Sequence, residues 1–148
     1  MGAAGTKAIP NRRIVGTMLR QHEIQVRVRY EEADPMGFLH HARYFVYFEM
    51  GRTEMLRASG GCYRQMEEAG ILIVAVKVEC RYRKPARYDD VLTIRTIVDR
   101  VTAAKIEHRY EVLRDGERLA EGRTTLAVID REGRLCRVPE WLHTPEDA

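Results

Sequence analysis

The sequence predicts an α+β domain in which one long helix packs against an antiparallel sheet of five strands. Three observations lead there. The chain after residue 70 alternates apolar and polar residues with a period of two, as half-buried strands do. A single long segment, near residue 50, carries an apolar stripe at helical spacing. No helix-sized segment separates the later strands, whereas a parallel sheet needs one between each pair.

Each element has its own signal. His22 to Tyr30 places Ile24, Val26 and Val28 on one side and Gln25, Arg27 and Arg29 on the other, a half-buried strand. A turn follows through Asp34-Pro35-Met36-Gly37. Tyr44, Phe48, Gly51 and Met55 then fall on one helical face, widened by Phe45 and Leu56. Gly51 costs that helix roughly 1 kcal/mol relative to Ala, and close approach of a sheet on the same face would compensate. Ser59-Gly60-Gly61 ends the helix, and Tyr63 to Ala69 forms a short amphipathic turn.

From Ile71 onward the pattern is strand-like. Val74, Val76, Val78, Cys80 and Tyr82 alternate with Ala75, Lys77, Glu79, Arg81 and Arg83. Pro85 to Asp90 is a turn, Val91 to Arg100 the next strand and Lys105 to Arg114 another, with Ile106, His108, Tyr110 and Val112 on its apolar side. Asp115-Gly116 marks a hairpin. Glu117 to Asp130 completes the set, with Ala120, Gly122, Thr124, Leu126 and Val128 on one face. The expected organisation is a flexible N-terminal tail at 1–21, one domain at 22–142 and a C-terminal tail at 143–148, the chain being loose after Pro139.

Composition narrows the function. With 148 residues, 45% hydrophobic and 32% charged, the chain suits one soluble core. A net charge of +3 spread over both signs does not indicate a nucleic-acid binder. No apolar run is long enough to span a bilayer, and residues 1–21 lack the apolar segment of a secretory signal, so a cytoplasmic location is expected. Cys62, Cys80 and Cys136 are widely spaced, which reads as free thiols. Neither HxxxH nor CxxC spacing occurs, so no metal is expected, and there is no glycine-rich phosphate loop. His108, on an apolar strand face, reads as a core histidine.

The segment with the most chemistry is the turn ahead of the helix. A carboxylate at Asp34 can act on a bound carbonyl as nucleophile or as base. Asp and Gly are also ordinary turn formers, His40 and His41 suit a surface, and Glu49 suits a helix-face ion pair.

Tyr30 to Leu56 resembles the 4-hydroxybenzoyl-CoA thioesterase branch of the hotdog-fold acyl-CoA thioesterases, which includes the Tol–Pal-associated enzymes. The residues that carry the resemblance are Asp34, Gly37, His41, Ala42 and Tyr44, joined by Tyr88-Asp89-Asp90-Val91-Leu92-Thr93-Ile94. It extends over about residues 23–138. Arg43 departs from the pattern, standing where Asn is usual.

The resemblance implies a hotdog fold, with the sheet wrapped around a central helix, and hydrolysis of an acyl-CoA to a free acid and CoA. It implies Asp34 as the catalytic carboxylate. It assigns His41 a catalytic role, with the nearby backbone N–H and the helix N-terminus as the oxyanion site. Gly37, Tyr44, Glu49 and Lys105 are the expected substrate-binding residues. Water is the only co-substrate and no cofactor is needed. A dimer with sites at the subunit interface is expected, paired into a tetramer. Arg81, Arg83, Lys84, Arg87, Arg100 and Lys105 are the basic residues available for the CoA phosphates. Two alternatives stand beside this reading: a hotdog module that binds acyl-CoA or an acyl-carrier protein without turnover, and a hotdog hydratase or dehydratase.

Overall fold

The strand and helix patterns fold into the expected two layers. The structure is a computed structural model and describes residues 16–146. Strands β1 (Gln21–Arg27), β2 (Leu72–Tyr82), β3 (Val91–Val101), β4 (Ile106–Arg114), β5 (Glu117–Ile129) and the two-residue β6 (Leu135–Cys136) form one antiparallel sheet. Its order is β1-β3-β4-β5-β2, with β6 pairing the end of β5. Helix α1 (Arg43–Ala58) lies on one face, and a short helix α2 (Tyr63–Glu68) follows it. The sheet stays open instead of wrapping the helix, and this α+β arrangement is the hotdog fold.

Helix and sheet meet at very short range because each layer carries one glycine where the other layer presses in. A Cβ placed on Gly122 of β5 would stand 2.3 Å from the Phe48 ring of α1. A Cβ on Gly51 of α1 would stand 2.4 Å from the Thr96 Oγ1 and 3.3 Å from Ile94 on β3. The helix-weakening glycine is therefore the residue that lets the sheet approach. Phe48, with no exposed surface, stacks on Tyr110 at 4.4 Å.

The inward faces of β4 and β5 follow the sequence pattern. Ile106, His108, Tyr110 and Val112 are buried, as are Ala120, Gly122, Thr124, Leu126 and Val128. Strand β2 does not keep one phase. The register slips between Ala75 and Lys77, so Val76 is an extra residue in a β-bulge. Before the bulge Ala75 opposes the inward Leu126; after it Val78, Cys80 and Tyr82 take the inward side. Strict alternation from Val74 to Tyr82 is thus corrected by a bulge that swaps faces. Strand β2 is also a sheet edge, and Val76, Val78 and Tyr82 remain exposed.

The ends differ from expectation. The first strand stops at Arg27, and Tyr30–Glu32 form a 3-10 turn instead of its last residues. Of the residues read as an N-terminal tail, 1–15 lie outside the described residues, while Met18 is buried and Gln21 already pairs with Ile97. The chain after Pro139 is packed, not loose. Glu140–Leu142 form a 3-10 turn, and Leu142 and Thr144 are buried because this segment closes the core below α1 and α2.

On the solvent face, ion pairs cross the strands: Glu23 with Arg95, Arg95 with Glu111, Glu111 with Arg118, Arg118 with Glu121 and Glu121 with Arg83. That charged face explains why one helical layer suffices. Among the described residues no helix is long and apolar enough to cross a membrane.

Two consequences follow for stability. Gly122→Ala forces a methyl against Phe48 and the Glu79 carbonyl, and is expected to destabilise the fold by about 2 kcal/mol in urea denaturation. His108 is buried, its Nδ1 has no hydrogen-bond partner among the described residues, and burial, aided by the Arg52 charge, pushes its pKa down from 6.5 to about 3. The unfolded chain binds the proton that the native chain refuses, so this contribution is complete above pH 6.5 and declines as pH falls toward 3. Between pH 7 and pH 5 the expected loss is about 2 kcal/mol. A His108→Leu variant should lack this component, and parallel pH slopes for variant and wild type would contradict the assignment.

Candidate active site

Three hydrogen bonds shape the turn that carries Asp34. The Gly37 N–H donates to the Asp34 carbonyl at 2.9 Å, with Gly37 at φ +83° in the left-handed region. The Asp34 Oδ1 accepts from the backbone N–H groups of Met36 (2.9 Å) and Phe38 (3.1 Å). Both side-chain bonds fall on Oδ1. Asp34 is thus a turn former in the ordinary sense, and its half-buried carboxylate is held in one orientation.

The turn is fastened on two sides. Toward the sheet, the Leu39 N–H donates to the Ala86 carbonyl at 2.8 Å, and Phe38 forms an antiparallel bridge with Arg87. Toward the helix, Glu32 is buried, and its Oε1 accepts from the Tyr47 hydroxyl and the Arg29 N–H, both at 2.8 Å. Burial favours the neutral acid at Glu32. The Arg29 N–H, the Tyr47 hydroxyl and the Arg29 guanidinium outweigh it and hold the carboxyl below its usual range. At Tyr47, burial and then the Glu32 bond push the phenol upward. The Glu32 carbonyl also accepts the His40 N–H at 2.9 Å. Sequence reasoning missed Glu32 and Tyr47, because a Glu beside a turn carries no local sign of burial.

Helix α1 begins right after the turn. The His40 carbonyl accepts the Arg43 N–H at 2.9 Å, and the His40 Nδ1 accepts the Ala42 N–H at 3.1 Å. His41 is exposed and stacks on His40 at 4.2 Å. Its carbonyl accepts the Tyr82 hydroxyl at 2.7 Å, while its own N–H makes no hydrogen bond to the described residues. Tyr44 is buried and meets Tyr82 edge-on at 4.9 Å. Burial pushes the Tyr44 hydroxyl up, in part offset by the Ala86 backbone.

These pieces bound an open cavity of about 300 Å³, lined by Asp34, His41, Tyr44 and Tyr82, with Met36, Phe38 and Leu39 on one side and Arg83 to Pro85 on the other. The fold therefore brings together Asp34, His41 and Tyr44. Gly37 shapes the turn without lining the cavity. Glu49 is exposed on α1, away from the lining. Lys105 pairs with Glu107 at 3.1 Å in the β3–β4 turn, at the other end of β3 from Pro85 and Ala86. Within one chain it is not brought to the cavity.

Arg43 opens α1 and does not line the cavity; its charge acts on the Tyr47 hydroxyl. Of the basic residues, Arg83 and Lys84 reach the cavity wall, each paired with an acid, Glu121 and Glu117. Among the described residues no group of three or more His, Cys, Asp or Glu is placed to hold a metal ion.

A carboxylate in a fixed turn, an unbonded N–H and a helix N-terminus around one cavity are the parts an acyl-transfer site needs. The family model described as the thioesterase-like superfamily matches residues 28–144, the span that includes this turn, both helices and every strand after β1. The chain belongs to that superfamily. It is a hotdog-fold thioesterase, a thioester hydrolase by family. A protein of Aquifex aeolicus is 31% identical over 114 residues, covering 77% of this chain and 88% of the relative. The acyl-CoA thioesterase YbgC of Haemophilus influenzae is 33% identical over 106 residues, covering 71% of this chain and 78% of its own. The DHNA-CoA thioesterase of Staphylococcus aureus superposes with a TM-score of 0.76 at 25% identity, covering 85% of each chain. The resemblance carried by Asp34, Gly37, His41 and Tyr44 thus led to the right family, and the hydratase and binding-only alternatives lose ground to hydrolysis.

Proposed function

We propose that this thioesterase hydrolyses an acyl-CoA to a free carboxylic acid and CoA, with Asp34 as the catalytic carboxylate. The observation that carries the proposal is the meeting of the Asp34 carboxylate and the unbonded His41 N–H at one cavity beside the start of α1. The thioester carbonyl sits between them. With Oδ1 held by the turn, Oδ2 is the oxygen that acts, either on the carbonyl carbon or on a water proton. The developing oxyanion is stabilised by the His41 N–H and the positive end of the helix dipole. Collapse breaks the C–S bond, and water supplies the hydroxyl of the acid and the proton of the CoA thiol. The reaction needs no cofactor, and the His41 imidazole, at the cavity wall, orients substrate or water. Relatives named as acyl-CoA thioesterases support the substrate class.

The chain acts as a dimer in this reading, with pairs of dimers forming a tetramer. Among the described residues β2 is an edge strand with exposed Val76 and Val78, and α1 leaves Val46 and Met50 exposed. Tyr82 at the end of that edge reaches the cavity, so a partner there lies beside the site. A subunit partner is also the route by which Glu49 and Lys105 would contact substrate.

Thiol release across a panel of acyl-CoA thioesters tests the chemistry. Asp34→Asn keeps the turn-forming oxygen and is expected to lower kcat at least about a hundredfold. Undiminished turnover in that variant would remove Asp34 from the mechanism. For assembly, Val78→Asp places a charge on the apolar edge, and light scattering should show a monomer; an unchanged oligomer would exclude the β2 edge as the contact.

A further inference from the structure

Beyond the cavity, the rim on the far side of Phe38 carries an aromatic pair in water. Tyr30 is 81% exposed and Tyr88 is 53% exposed. They meet edge-to-face with ring centroids 5.4 Å apart. Rings so exposed offer a ligand both a flat apolar face and a hydroxyl. Their backbones are fixed: the Val28 N–H donates to the Asp90 carbonyl at 2.9 Å and the Asp89 N–H to the Val28 carbonyl at 3.0 Å. Asp89, next to Tyr88, takes a φ of 72°, a conformation uncommon for Asp and held here by those bonds.

A cation next to Tyr88 in the chain packs on the cavity wall. The Arg87 guanidinium lies 4.9 Å over the Phe38 ring, and Phe38 lines the cavity with Asp34. Among the described residues, no carboxylate forms an ion pair with Arg87. The acids of the rim have partners of their own: Glu31 with Arg29 at 3.1 Å, Asp89 with Arg27 at 3.1 Å and Asp90 with Arg114 at 2.8 Å. From the carboxylate outward, the surface therefore offers an apolar wall, an available cation and an exposed π-face. That is the order of groups in a thioester carried on an adenine nucleotide: acyl and pantetheine arm, phosphates, base.

We propose that Tyr30, Tyr88 and Arg87 form a nucleotide subsite, with the adenine base stacked on the exposed tyrosine pair and a phosphate held by Arg87. The proposal rests on the acyl-CoA reading above and deepens it. The residues select a nucleotide carrier over a carrier protein, and they supply binding remote from the reacting carbonyl.

The test compares one acyl group on CoA and on pantetheine, which lacks the nucleotide. Tyr30→Ala, Tyr88→Ala and Arg87→Ala should each raise KM for the acyl-CoA about tenfold while kcat holds, and leave KM for the acyl-pantetheine in place. Tyr30→Phe, which keeps the ring, should retain the wild-type KM. Adenosine 3′,5′-bisphosphate should compete with acyl-CoA in the wild type and weaken as an inhibitor in the alanine variants. Three results would each overturn the subsite: an unchanged KM for acyl-CoA, equal effects on both substrates, or an acyl-carrier protein used at a KM at or below that for acyl-CoA. Should the wild type hydrolyse none of these thioesters, the acyl-CoA reading fails by itself. Calorimetric titration with adenosine 3′,5′-bisphosphate then decides the subsite separately, absence of binding overturning it.

Discussion

The contact between Phe48 and Gly122 governs the rest of the molecule. With no side chain on β5 at that position, the Phe48 ring occupies the space a Cβ would fill, and Gly51 lets the next turn of α1 settle over Ile94 and Thr96. The helix is thereby set against the middle of the sheet at a fixed height. The apolar faces of β3, β4 and β5 are covered, in two buried clusters, because α1 lies that close. The fold accepts a helix weakened by glycine in exchange for packing of the two layers.

The height of α1 also sets the site. Its first turn points at the segment from Glu32 to Ala42, and the buried Glu32–Tyr47 bond ties the two together. A charged acceptor shared by a hydroxyl and a backbone N–H is strong in a buried setting and leaves little room for the turn to shift. Asp34 is therefore placed by its own local bonds to Met36 and Phe38, and its turn is placed by Glu32 against the helix and by Ala86 against the sheet. A carboxylate that must face a carbonyl beside a helix N-terminus needs both kinds of restraint.

The two faces of the sheet are solved differently. The inner face is apolar and covered; the outer face carries crossed ion pairs in which Glu111 alone meets Arg95, Arg109 and Arg118. Glu111 is itself buried beneath these arginines, whereas the more exposed pairs at the margins, such as Arg83 with Glu121, contribute little each but keep that face wet. Among the described residues no strand pairs with the outer side of β2, where Val76 and Val78 are exposed, and this edge runs into the cavity wall at Tyr82. The open side of the molecule and the open side of the site are thus the same side.

Periodicity and turn chemistry determined by themselves the strand and helix order, the inward faces of β4 and β5, the meaning of Gly51 and the turn at Asp34, because each depends on residues adjacent in sequence. The motif through Gly37, His41 and Tyr44 was legible for the same reason. What only the tertiary structure decided was everything that joins distant segments. Strict alternation in β2 gave no sign of the bulge at Val76, since a bulge answers to the register of β5. Glu32 is a buried anchor because Tyr47 lies above it, and Lys105 stands far from Asp34 because β3 separates them. The C-terminal segment is packed because α1 and α2 leave apolar surface that Leu142 covers. Tyr30 and Tyr88 are far apart in sequence, and only the pairing of Val28 with Asp89 and Asp90 brings their rings together. Local patterns encode which face is apolar; the depth and proximity of a side chain are properties of the packed layers.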